Sequence, residues 1–544
     1  MARGGSGHGP GGRHLPAWEA LAALAAVALY LRTVGFGWVY DDQMEVVLNT
    51  HVRSLARLPE MFSTTVWAGS GMETFLYRPL ALVTYALNWQ VSGAEPWSYH
   101  LVNVLLHAGV AVLVVRLGRL WRLPALAAGL AGLLFAIHPI HVEAVAPVFG
   151  RKDLLATLFV LGFALTHRRA LERAGWRRLA APLLLLCAML SKEVGVVGLA
   201  LVAVQDVWLE RDRRAFLARR EMPLLYASHL AAVTLFLLIR TSVTGGMAIP
   251  DTSFFDNPLV SAPLLQRLAT ALVVVGMGVG LLLAPLGQTP DYSFDAIPVV
   301  ASPFDLRLLA TLLGVAMLLA AALHPRLRCS VLPPAAAWYA LALLPTANLF
   351  LVSGTIFAER LLYLPSVAFC LAAGAGLAWA AGRRGWVGAV AAGAAVVGFA
   401  FATVAYTRFW TDDVTLFRRA ASASAGSTKA HHKLGEELLR RGEVGDALRS
   451  LRRALEIAPG NVFAAETLAQ AREMAAQRWV PGAASGSDPE PLPRDPDILL
   501  VVGATLLSRG DTAQARTALR AFLELAGDGY EAEAAWARSV LPTG

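Results

Sequence analysis

The sequence predicts an all-α membrane protein, with a polytopic helix bundle followed by a soluble α-helical repeat domain. Three observations lead to this fold class. The 544 residues have a mean hydropathy of +0.53 and only 16% charged residues, which is far outside the range of soluble proteins. Eleven apolar runs approach the length that crosses a hydrocarbon core. Past Tyr406 the composition becomes that of a soluble domain and contains a 34-residue helical repeat.

The predicted spans determine the domain organisation. We expect a cytoplasmic segment at 1–16, a membrane domain at 17–406 whose first outer loop is 35–97, and a repeat domain at 407–544. The three cysteines fall in or beside apolar runs and predict no disulfide framework. The spans lie near 17–34, 98–117, 124–140, 152–167, 179–191, 193–209, 223–241, 306–323, 333–350, 361–380 and 386–406.

The placement of arginine predicts the orientation in the membrane. Short arginine-rich connections alternate with loops richer in acidic, aromatic and proline residues, so the positive-inside rule explains the net charge of +8 better than nucleic-acid binding does. The alternation requires that the Gly-rich stretch 265–287 is a re-entrant or broken helix. An odd number of crossings then places the C-terminus outside the cytoplasm. The arginine-rich connections are 116–122, 168–178, 211–220, 324–328 and 383–384.

Residues 428–461 fit the 34-residue tetratricopeptide repeat. Helical periodicity alone would not place glycine and proline at the spacings of two packed helices, as they are here. A degenerate second unit follows at 462–477, an insert that we expect to be disordered covers about 480–497, and the pattern returns at 502–522. The repeat positions are Leu434, Gly435, Leu438, Ala447, Leu451, Ala454 and Pro459.

Two adjacent carboxylates, Asp41 and Asp42, lie near the start of the first outer loop. Like charges so close raise one of the two pKa values, so the pair is costly near a membrane unless it remains solvated or has a role. Either carboxylate can act as a general base toward a hydroxyl group within hydrogen-bond distance. From the pair alone, a solvated loop turn is the alternative.

Further polar residues follow on the same side of the membrane. Arg78 lies in a YRPL motif, and His100, Asn103 and His107 recur at helical spacing at the start of the second span, so they share one helix face. Polar residues inside a membrane usually face a cavity or a partner helix, which favours a site wall. The alternative is that these residues satisfy one another inside the bundle.

The segment HPIHVEAVAPVFGRKD carries histidines, a carboxylate and two cations. His138, His141 and Glu143 offer metal ligands, but without the HExxH spacing the signal is weak and we predict no metal. Arg151 and Lys152 are better candidates for a site, because a cation on the outer side can neutralise a lipid-linked phosphate.

The remaining candidate site residues lie later in the chain. Lys192 and Glu193, between two apolar runs, form either a structural ion pair or part of the same basin. Asp291 follows the Gly-rich stretch, and Glu359 and Arg360 precede a span. An arginine at the membrane edge offers a planar fork to phosphate oxygens, although snorkelling to the interface or pairing with Glu359 is the simpler alternative.

The chain resembles the transmembrane and tetratricopeptide repeat-containing (TMTC) proteins and their bacterial relatives. The resemblance covers roughly residues 30–525. It implies a membrane bundle of the GT-C type and a glycosyltransferase that moves a sugar, typically mannose, from a polyprenyl-phosphate carrier to a Ser or Thr hydroxyl group outside the cytoplasm. The motifs that carry it, in order and followed by the repeats, are VYDDQMEVVLN, YRPL, YHLVNVLLH, LFAIHPIHVEAVAPVFGRKDLLA, SKE, DYS and AERLLYLPS.

The resemblance also implies roles for these residues. Asp41 or Asp42 would accept the proton of the acceptor while its oxygen attacks the anomeric carbon and inverts the configuration. Arg360, with Arg151 or Lys152, would stabilise the leaving phosphate. The donor is already activated, so neither a metal nor another cofactor is expected. The implied partners are the polyprenyl-phosphate sugar, membrane lipid, an acceptor protein or glycan, and a protein bound along the repeats.

The composition also predicts the type of organism that the protein comes from, and two other functions fit the candidate site residues. The Gly-, Ala- and Arg-rich composition suggests a bacterium of high genomic G+C, which implies the inner membrane and an undecaprenyl or similar carrier. The chain has fewer repeats than the animal members. Two rivals are a transferase of the same class with a lipid or glycan acceptor, and a non-catalytic membrane scaffold whose repeats are the working part. A transporter is disfavoured because no inverted internal repeat is visible.

Overall fold

A computed structural model describes residues 15–172, 175–210, 221–246, 252–327, 329–481 and 490–541. The chain divides into two compact units. The membrane unit is Met1–Pro290 with Val299–Asp412, and the C-terminal unit is Asp291–Pro298 with Asp413–Gly544. All regular secondary structure in the described ranges is helical, so the predicted all-α fold is confirmed. Most of the predicted cytoplasmic segment and the connection 211–220 lie outside the described residues.

The chain is a multi-pass membrane protein. Six of the described helices are long and apolar enough to cross a membrane, or seven if the bent pair Ala125–Ile137 and Pro139–Val145 is one span. Eleven runs were expected, but the helices at 179–191, 193–209 and 333–350 have only 15, 12 and 12 residues. A crossing needs about 20 residues. The α-helices of this unit are Leu15–Tyr30, Leu58–Ser63, Pro79–Ser92, Trp97–Leu120, Ala125–Ile137, Val142–Val145, Arg151–Glu172, Arg177–Ser191, Gly198–Leu209, Glu221–Thr244, Leu264–Leu283, Leu306–Leu323, Leu332–Leu343 and Ser366–Thr407.

The Gly-rich stretch 265–287 was expected to be a re-entrant or broken helix. It forms one continuous helix, Leu264–Leu283, so the expected break is wrong. Its glycines allow close packing instead of a break. A Cβ atom on Gly276 would lie 2.1 Å from Thr311 Oγ1, and one on Gly278 would lie 3.2 Å from Leu362. Small residues of this kind let neighbouring membrane helices approach closely, because no side chain separates the backbones.

The loops on both sides of this helix bind the same segment of the chain. In the loop before it, Asn257 Nδ2 donates to the carbonyl oxygen of Ser353 at 2.8 Å. In the loop after it, Gln288 Nε2 donates to Glu359 Oε2 at 2.6 Å. Each loop is therefore held against residues 353–359, which belong to a connection that the arginine pattern assigns to the outer side.

The longest helix, Ser366–Thr407, is interrupted at Gly385, where the backbone adopts φ 55° and ψ −133°. This conformation is accessible to glycine and strained for other residues. The two halves fold back on each other, because a Cβ atom on Gly388 would lie only 2.1 Å from the carbonyl oxygen of Ala380. The interruption follows the Arg383–Arg384 pair and separates the two runs predicted at 361–380 and 386–406.

The C-terminal unit consists of antiparallel helical hairpins. Gly435 packs against Leu451 and Gly503 packs against Leu519, so each hairpin closes over a glycine on its first helix. The segment 291–298 joins this unit, since Asp295 N donates to the Gly426 carbonyl oxygen at 2.8 Å. The α-helices are Asp413–Ala423, Thr428–Arg440, Val444–Ile457, Val462–Trp479, Pro496–Ser508, Thr512–Leu525 and Glu531–Val540.

The structure describes only the two ends of the insert that was predicted at about 480–497. Residues 482–489 lie outside the described residues. The end of the segment is fixed, because the buried Asp497 carboxylate accepts hydrogen bonds from Arg449 at 2.9 Å, Arg452 at 2.5 Å and Tyr530 at 2.8 Å. Charge-assisted contacts of this kind are strong, so the expectation of disorder is wrong for the residues around Asp497.

Replacing Gly435 by Val is expected to destabilise the C-terminal unit by about 1–3 kcal/mol, since an added Cβ would lie 2.5 Å from Leu451 Cγ and overpack the hairpin. Limited proteolysis of the full chain measures this as faster cleavage after Asp413. The matched control is Gly460→Ala, because a Cβ atom there meets nothing within 4 Å. Equal cleavage rates for both variants would contradict this packing.

Candidate active site

The two acidic residues of the first outer loop lie on a tight turn after the first helix and have different surroundings. Tyr40, just before them, has φ 54°, a left-handed conformation that is strained for a residue with a side chain. Asp42 is fully buried, whereas Asp41 is partly exposed. The turn thus directs one carboxylate into the protein and leaves the other at its surface.

Asp42 joins two outer loops. Its Oδ2 accepts hydrogen bonds from Val39 N at 3.1 Å and Val148 N at 3.3 Å, and its Oδ1 accepts one from Phe149 N at 2.6 Å. Burial raises the pKa of the Asp42 carboxyl group to about 8, although the three backbone donors favour the ionised form and oppose this shift. Because both oxygens of Asp42 are buried and engaged by backbone N–H groups, this carboxyl group is poorly placed to reach a bound hydroxyl group.

Asp41 has no such anchor. Its side chain makes no hydrogen bond to any residue that the structure describes, while its charge interacts with the guanidinium group of Arg360. The Asp41 carbonyl oxygen accepts a hydrogen bond from Glu45 N at 2.9 Å, which fixes the backbone. A fixed backbone with an unoccupied, partly exposed carboxylate is suited to accept a proton from a bound hydroxyl group.

Phe149 connects the acidic turn with the basic residues. Its backbone amide binds Asp42, and its ring lies 5.3 Å from both the guanidinium carbon of Arg360 and the ammonium nitrogen of Lys152. Tyr40 packs edge-on against the same ring at 5.9 Å. The carboxylates of the first loop and the guanidinium group before the last spans thus converge at one place in the membrane unit.

Arg360 pairs with Glu143 and not with Glu359. Its Nη1 forms an ion pair with Glu143 Oε1, and its backbone N–H donates to Glu143 Oε2 at 2.9 Å. Among the described residues, its Nε and Nη2 atoms have no acceptor, and 18% of the side chain is exposed. Arg360 therefore keeps donors for a ligand, and Glu143 serves to orient it.

Glu359 binds the loop that follows the helix Leu264–Leu283. Its buried carboxylate accepts hydrogen bonds from Gln288 Nε2 at 2.6 Å and from Thr289 N at 3.1 Å. The hydroxyl group of Tyr406 contacts Oε1 at 3.4 Å. Glu359 thus holds the loop after Leu264–Leu283 beside Arg360, and the alternative in which it pairs with Arg360 is wrong.

Lys152 is buried in an ion pair with Glu45, a residue that sequence reasoning missed. Glu45 Oε2 also accepts a hydrogen bond from the Tyr85 hydroxyl group at 3.1 Å. The signal was present, because Glu45 lies four residues after Asp41 in the same VYDDQMEVVLN motif. Since this ion pair occupies Lys152, the residue is poorly placed to bind phosphate.

Arg151 is fully buried and all three of its nitrogens are engaged. Nε donates to Asn103 Oδ1 at 2.9 Å, Nη1 to Asn88 Oδ1 at 2.5 Å, and Nη2 to the Tyr99 carbonyl oxygen at 2.7 Å. The guanidinium carbon also lies 4.8 Å from the Tyr85 ring centre. This arrangement corrects the expectation of a phosphate ligand, because a protein group already engages each nitrogen of the guanidinium group.

Replacing Arg151 by Met is expected to lower stability by roughly 3–5 kcal/mol, because several buried polar groups lose their partner at once. A fall in the melting temperature of the detergent-solubilised full chain measures this loss. The contrasting control is Arg307→Met, an exposed arginine whose partner is Asp305 two residues away. If Arg151→Met melts like the control, Arg151 does not hold the helices together.

The histidines satisfy polar groups inside the bundle, as the alternative reading held. His107 Nδ1 bonds the Tyr363 hydroxyl group at 2.8 Å, and His141 Nε2 bonds Ser366 Oγ at 2.8 Å. His138 Nε2 bonds the Leu282 carbonyl oxygen at 2.9 Å. His100 is fully buried and lies against the backbone of Gly37 and Ala146.

No metal site is assembled from these groups. His138 and His141 are each engaged by protein groups through both ring nitrogens, and Glu143 is taken by Arg360. In the described part of the chain, no cluster of three or more His, Cys, Asp or Glu residues could hold a metal ion.

The remaining candidates separate into two ion pairs and one residue of the other unit. Arg78 Nε donates to Glu193 Oε2 at 3.1 Å, and Lys192 Nζ donates to Asp153 Oδ1 at 2.5 Å. Lys192 and Glu193 are thus not partners of each other. Asp291 belongs to the C-terminal unit, where its carboxylate accepts hydrogen bonds from Ser293 and Ser427, which assigns it to that unit's own structure.

The chain is similar to known proteins over most of its length. Residues 246–319 match the family described as "Protein O-mannosyl-transferase TMTC, DUF1736". "Protein O-mannosyl-transferase TMTC3" of Mus musculus is 27% identical over 82% of this chain and 51% of its own length. TMTC2 of Homo sapiens is 32% identical over 49% of this chain and 34% of its own length. TMTC4 of Homo sapiens is 29% identical over 80% and 66%. The chain thus spans between a third and two thirds of the length of these relatives.

Proposed function

Because the chain belongs to the TMTC family of membrane proteins, we propose that it is a membrane glycosyltransferase. The proposed reaction moves a mannosyl group from a polyprenyl-phosphate donor to a Ser or Thr hydroxyl group of a protein. The names of the relatives support the reaction class. The observation that carries the proposal is the convergence of Asp41, Asp42 and Arg360 around Phe149. A base and a phosphate-binding cation at one place are what this reaction needs.

Asp41 is the general base and Asp42 positions it. The acceptor oxygen attacks the anomeric carbon, its proton moves to Asp41, and the bond from that carbon to the phosphate oxygen breaks with its electron pair on the phosphate. Attack from the face opposite the phosphate inverts the anomeric configuration. Asp42 holds the turn against Val148 and Phe149, so that the Asp41 carboxylate stays where the acceptor arrives.

Arg360 receives the charge that develops on the leaving phosphate. Two of its nitrogens have no acceptor among the described residues, so a planar fork remains for two phosphate oxygens. Glu143 fixes the orientation of the guanidinium group before the donor arrives, and preorganised donors of this kind cost no reorganisation during the reaction. Arg151 and Lys152 support the loop from inside the protein.

The C-terminal unit presents the acceptor. We assign its hairpins to the tetratricopeptide class, whose stacked helices form surfaces for extended peptides. A tethered binding surface raises the local concentration of the acceptor. The proposed location is the bacterial inner membrane with this unit outside the cytoplasm, and the binding of both loops around Leu264–Leu283 to residues 353–359 supports the orientation.

Glycan analysis of envelope proteins and lipids tests the function in cells. Cells with the chain should carry a hexose on envelope proteins that cells without it lack, and the hexose should be absent when Asp41→Asn replaces the wild type. A hexose lost from lipids or glycans alone would identify the other acceptor class. Unaltered glycans in every strain would favour the non-catalytic scaffold.

A further inference from the structure

The helix Leu264–Leu283 is one of the described helices that are long and apolar enough to cross a membrane, yet both of its flanking loops bind one connection of the chain. Before the helix, Asn257 Nδ2 donates to the Ser353 carbonyl oxygen at 2.8 Å. After it, Gln288 Nε2 donates to Glu359 Oε2 at 2.6 Å. A helix that crosses the membrane has its two ends about 30 Å apart on opposite surfaces, whereas these two ends meet the same short segment.

The body of the helix also contacts residues of that side. Thr270 Oγ1 accepts a hydrogen bond from Val300 N at 2.9 Å, and the Leu282 carbonyl oxygen binds His138 Nε2 at 2.9 Å. Val300 lies in the connection that leads to the next span, and His138 ends the helix that precedes the histidine-rich segment. The arginine pattern assigns both places to the outer side. About 18 Å of the helix therefore lies along one surface of the membrane.

The two faces of the helix differ in exposure. Thr270 and Val274 are buried against the protein. On the other face, Leu265 is 81% exposed and Leu283 is 66% exposed. These two leucines are five full helical turns apart, so they point in the same direction. The only charged residue of the helix is Arg267. An exposed apolar face of this kind indicates contact with a membrane or with another protein.

The neighbouring span shows which of the two is present. The helix packs against Leu306–Leu323, since a Cβ atom on Gly276 would lie 2.1 Å from Thr311 Oγ1 and Val273 shares a core cluster with Leu308. The exposed leucines of that span include Leu309, Leu312, Leu313 and Leu319. Such a span must be surrounded by lipid, because its apolar side chains have no protein cover in the described part of the chain. The same lipid adjoins the exposed face of Leu264–Leu283.

We propose that Leu264–Leu283 does not cross the membrane but lies flat in the leaflet on the side of the candidate active site, with Leu265 and Leu283 among the lipid acyl chains. Helices of this type lie about 5–10 Å deep, at the boundary between headgroups and acyl chains. The alternation of arginine-rich connections then holds without a break in the helix. This topology does not depend on the reaction that the protein catalyses.

Cysteine labelling tests the topology. In the full chain with its three native cysteines replaced by Ala, Ser253→Cys and Ser302→Cys each place one thiol at an exposed position, before and after the helix. Both should react with a membrane-impermeant maleimide in the same preparation, either spheroplasts or inverted vesicles of the expressing bacterium. The control that keeps only the exposed Cys329, beyond the next span, should react in the other preparation. Reaction of the two serine variants in opposite preparations would show a crossing and overturn the proposal.

Spin labels test the contact with lipid. Labels on Leu265→Cys and Leu283→Cys should collide often with oxygen and rarely with a water-soluble nickel complex, at a smaller depth than a label on Leu313→Cys in the neighbouring span. The water-exposed control is Leu525→Cys in the C-terminal unit, where the leucine is 40% exposed. Nickel collisions as frequent as in this control would place the face in water, and rare collisions with both reagents would place it against a protein. Either result would overturn the contact with lipid.

Discussion

Replacing Asp41 by Asn is expected to lower kcat for sugar transfer by about 10²–10⁴-fold, with the melting temperature unchanged. The amide cannot accept the proton of the attacking hydroxyl group. It also disturbs little, because the Asp41 side chain makes no hydrogen bond to a described residue and its backbone is held by Glu45. Steady-state rates and thermal melting of the same purified protein measure the two quantities.

Asp42→Asn is the matched comparison for that experiment. One side-chain atom becomes an N–H donor that faces the backbone N–H groups of Val39, Val148 and Phe149. We expect this variant to melt at a lower temperature and to lose activity as a consequence of the loosened turn. If Asp42→Asn instead keeps its melting temperature and shows the larger loss of kcat, the two acids have the opposite roles.

Removing the charge of Arg360 is expected to lower kcat by about 10²–10³-fold, equivalent to about 2.7–4 kcal/mol of transition-state stabilisation. The informative variant is the double substitution Arg360→Gln with Glu143→Gln, which leaves no unpaired charge buried. Most of the loss should appear in kcat and little in the KM for the donor, because the phosphate carries its full negative charge only as it leaves. Steady-state kinetics over a range of donor concentrations separate the two constants.

Two single variants accompany the double one. Glu143→Gln keeps the guanidinium group and should retain most of the activity, with a moderate loss from poorer orientation. Arg360→Lys keeps the pairing with Glu143 but offers a point charge in place of a planar fork, and should fall between the wild type and the double variant. Wild-type rates in the double variant would mean that another group binds the phosphate.

Much of the fold followed from the sequence because apolar length and repeat spacing are local signals. The two spans on either side of Arg383–Arg384 and the hairpin over Gly435 were predicted in this way. The continuous helix Leu264–Leu283 was not, since glycine both breaks helices and allows them to pack closely. Only the positions of Thr311 and Leu362 across the bundle distinguish these two uses.

The candidate site was predictable in its residue types and less so in their roles. The motif named both first-loop acids, but which one is buried depends on the backbone of a distant loop, at Val148 and Phe149. In the same way, Arg151 and Arg360 are equivalent cations in the sequence. The bundle engages every nitrogen of Arg151 with its own groups and leaves two nitrogens of Arg360 without a described acceptor.

Two carboxylates, Glu45 and Asp153, show the limit of motif reasoning most clearly. Each lies within a motif that was recognised, yet neither was assigned a role, because a single acidic residue beside stronger candidates gives no signal of its own. Glu45 becomes meaningful once Lys152 and Tyr85 are seen to meet it. Asp153 becomes meaningful once Lys192 is seen to pair with it, which is a property of packing and not of sequence.

The most direct measurement is the anomeric configuration of the product that the purified full chain forms from polyprenyl-phosphate mannose and a Ser/Thr peptide. A single displacement with Asp41 as base and the phosphate as leaving group predicts a mannosyl linkage of the configuration opposite to that of the donor, absent with Asp41→Asn. A product that retains the donor's configuration, or one formed equally well by Asp41→Asn, would contradict the account.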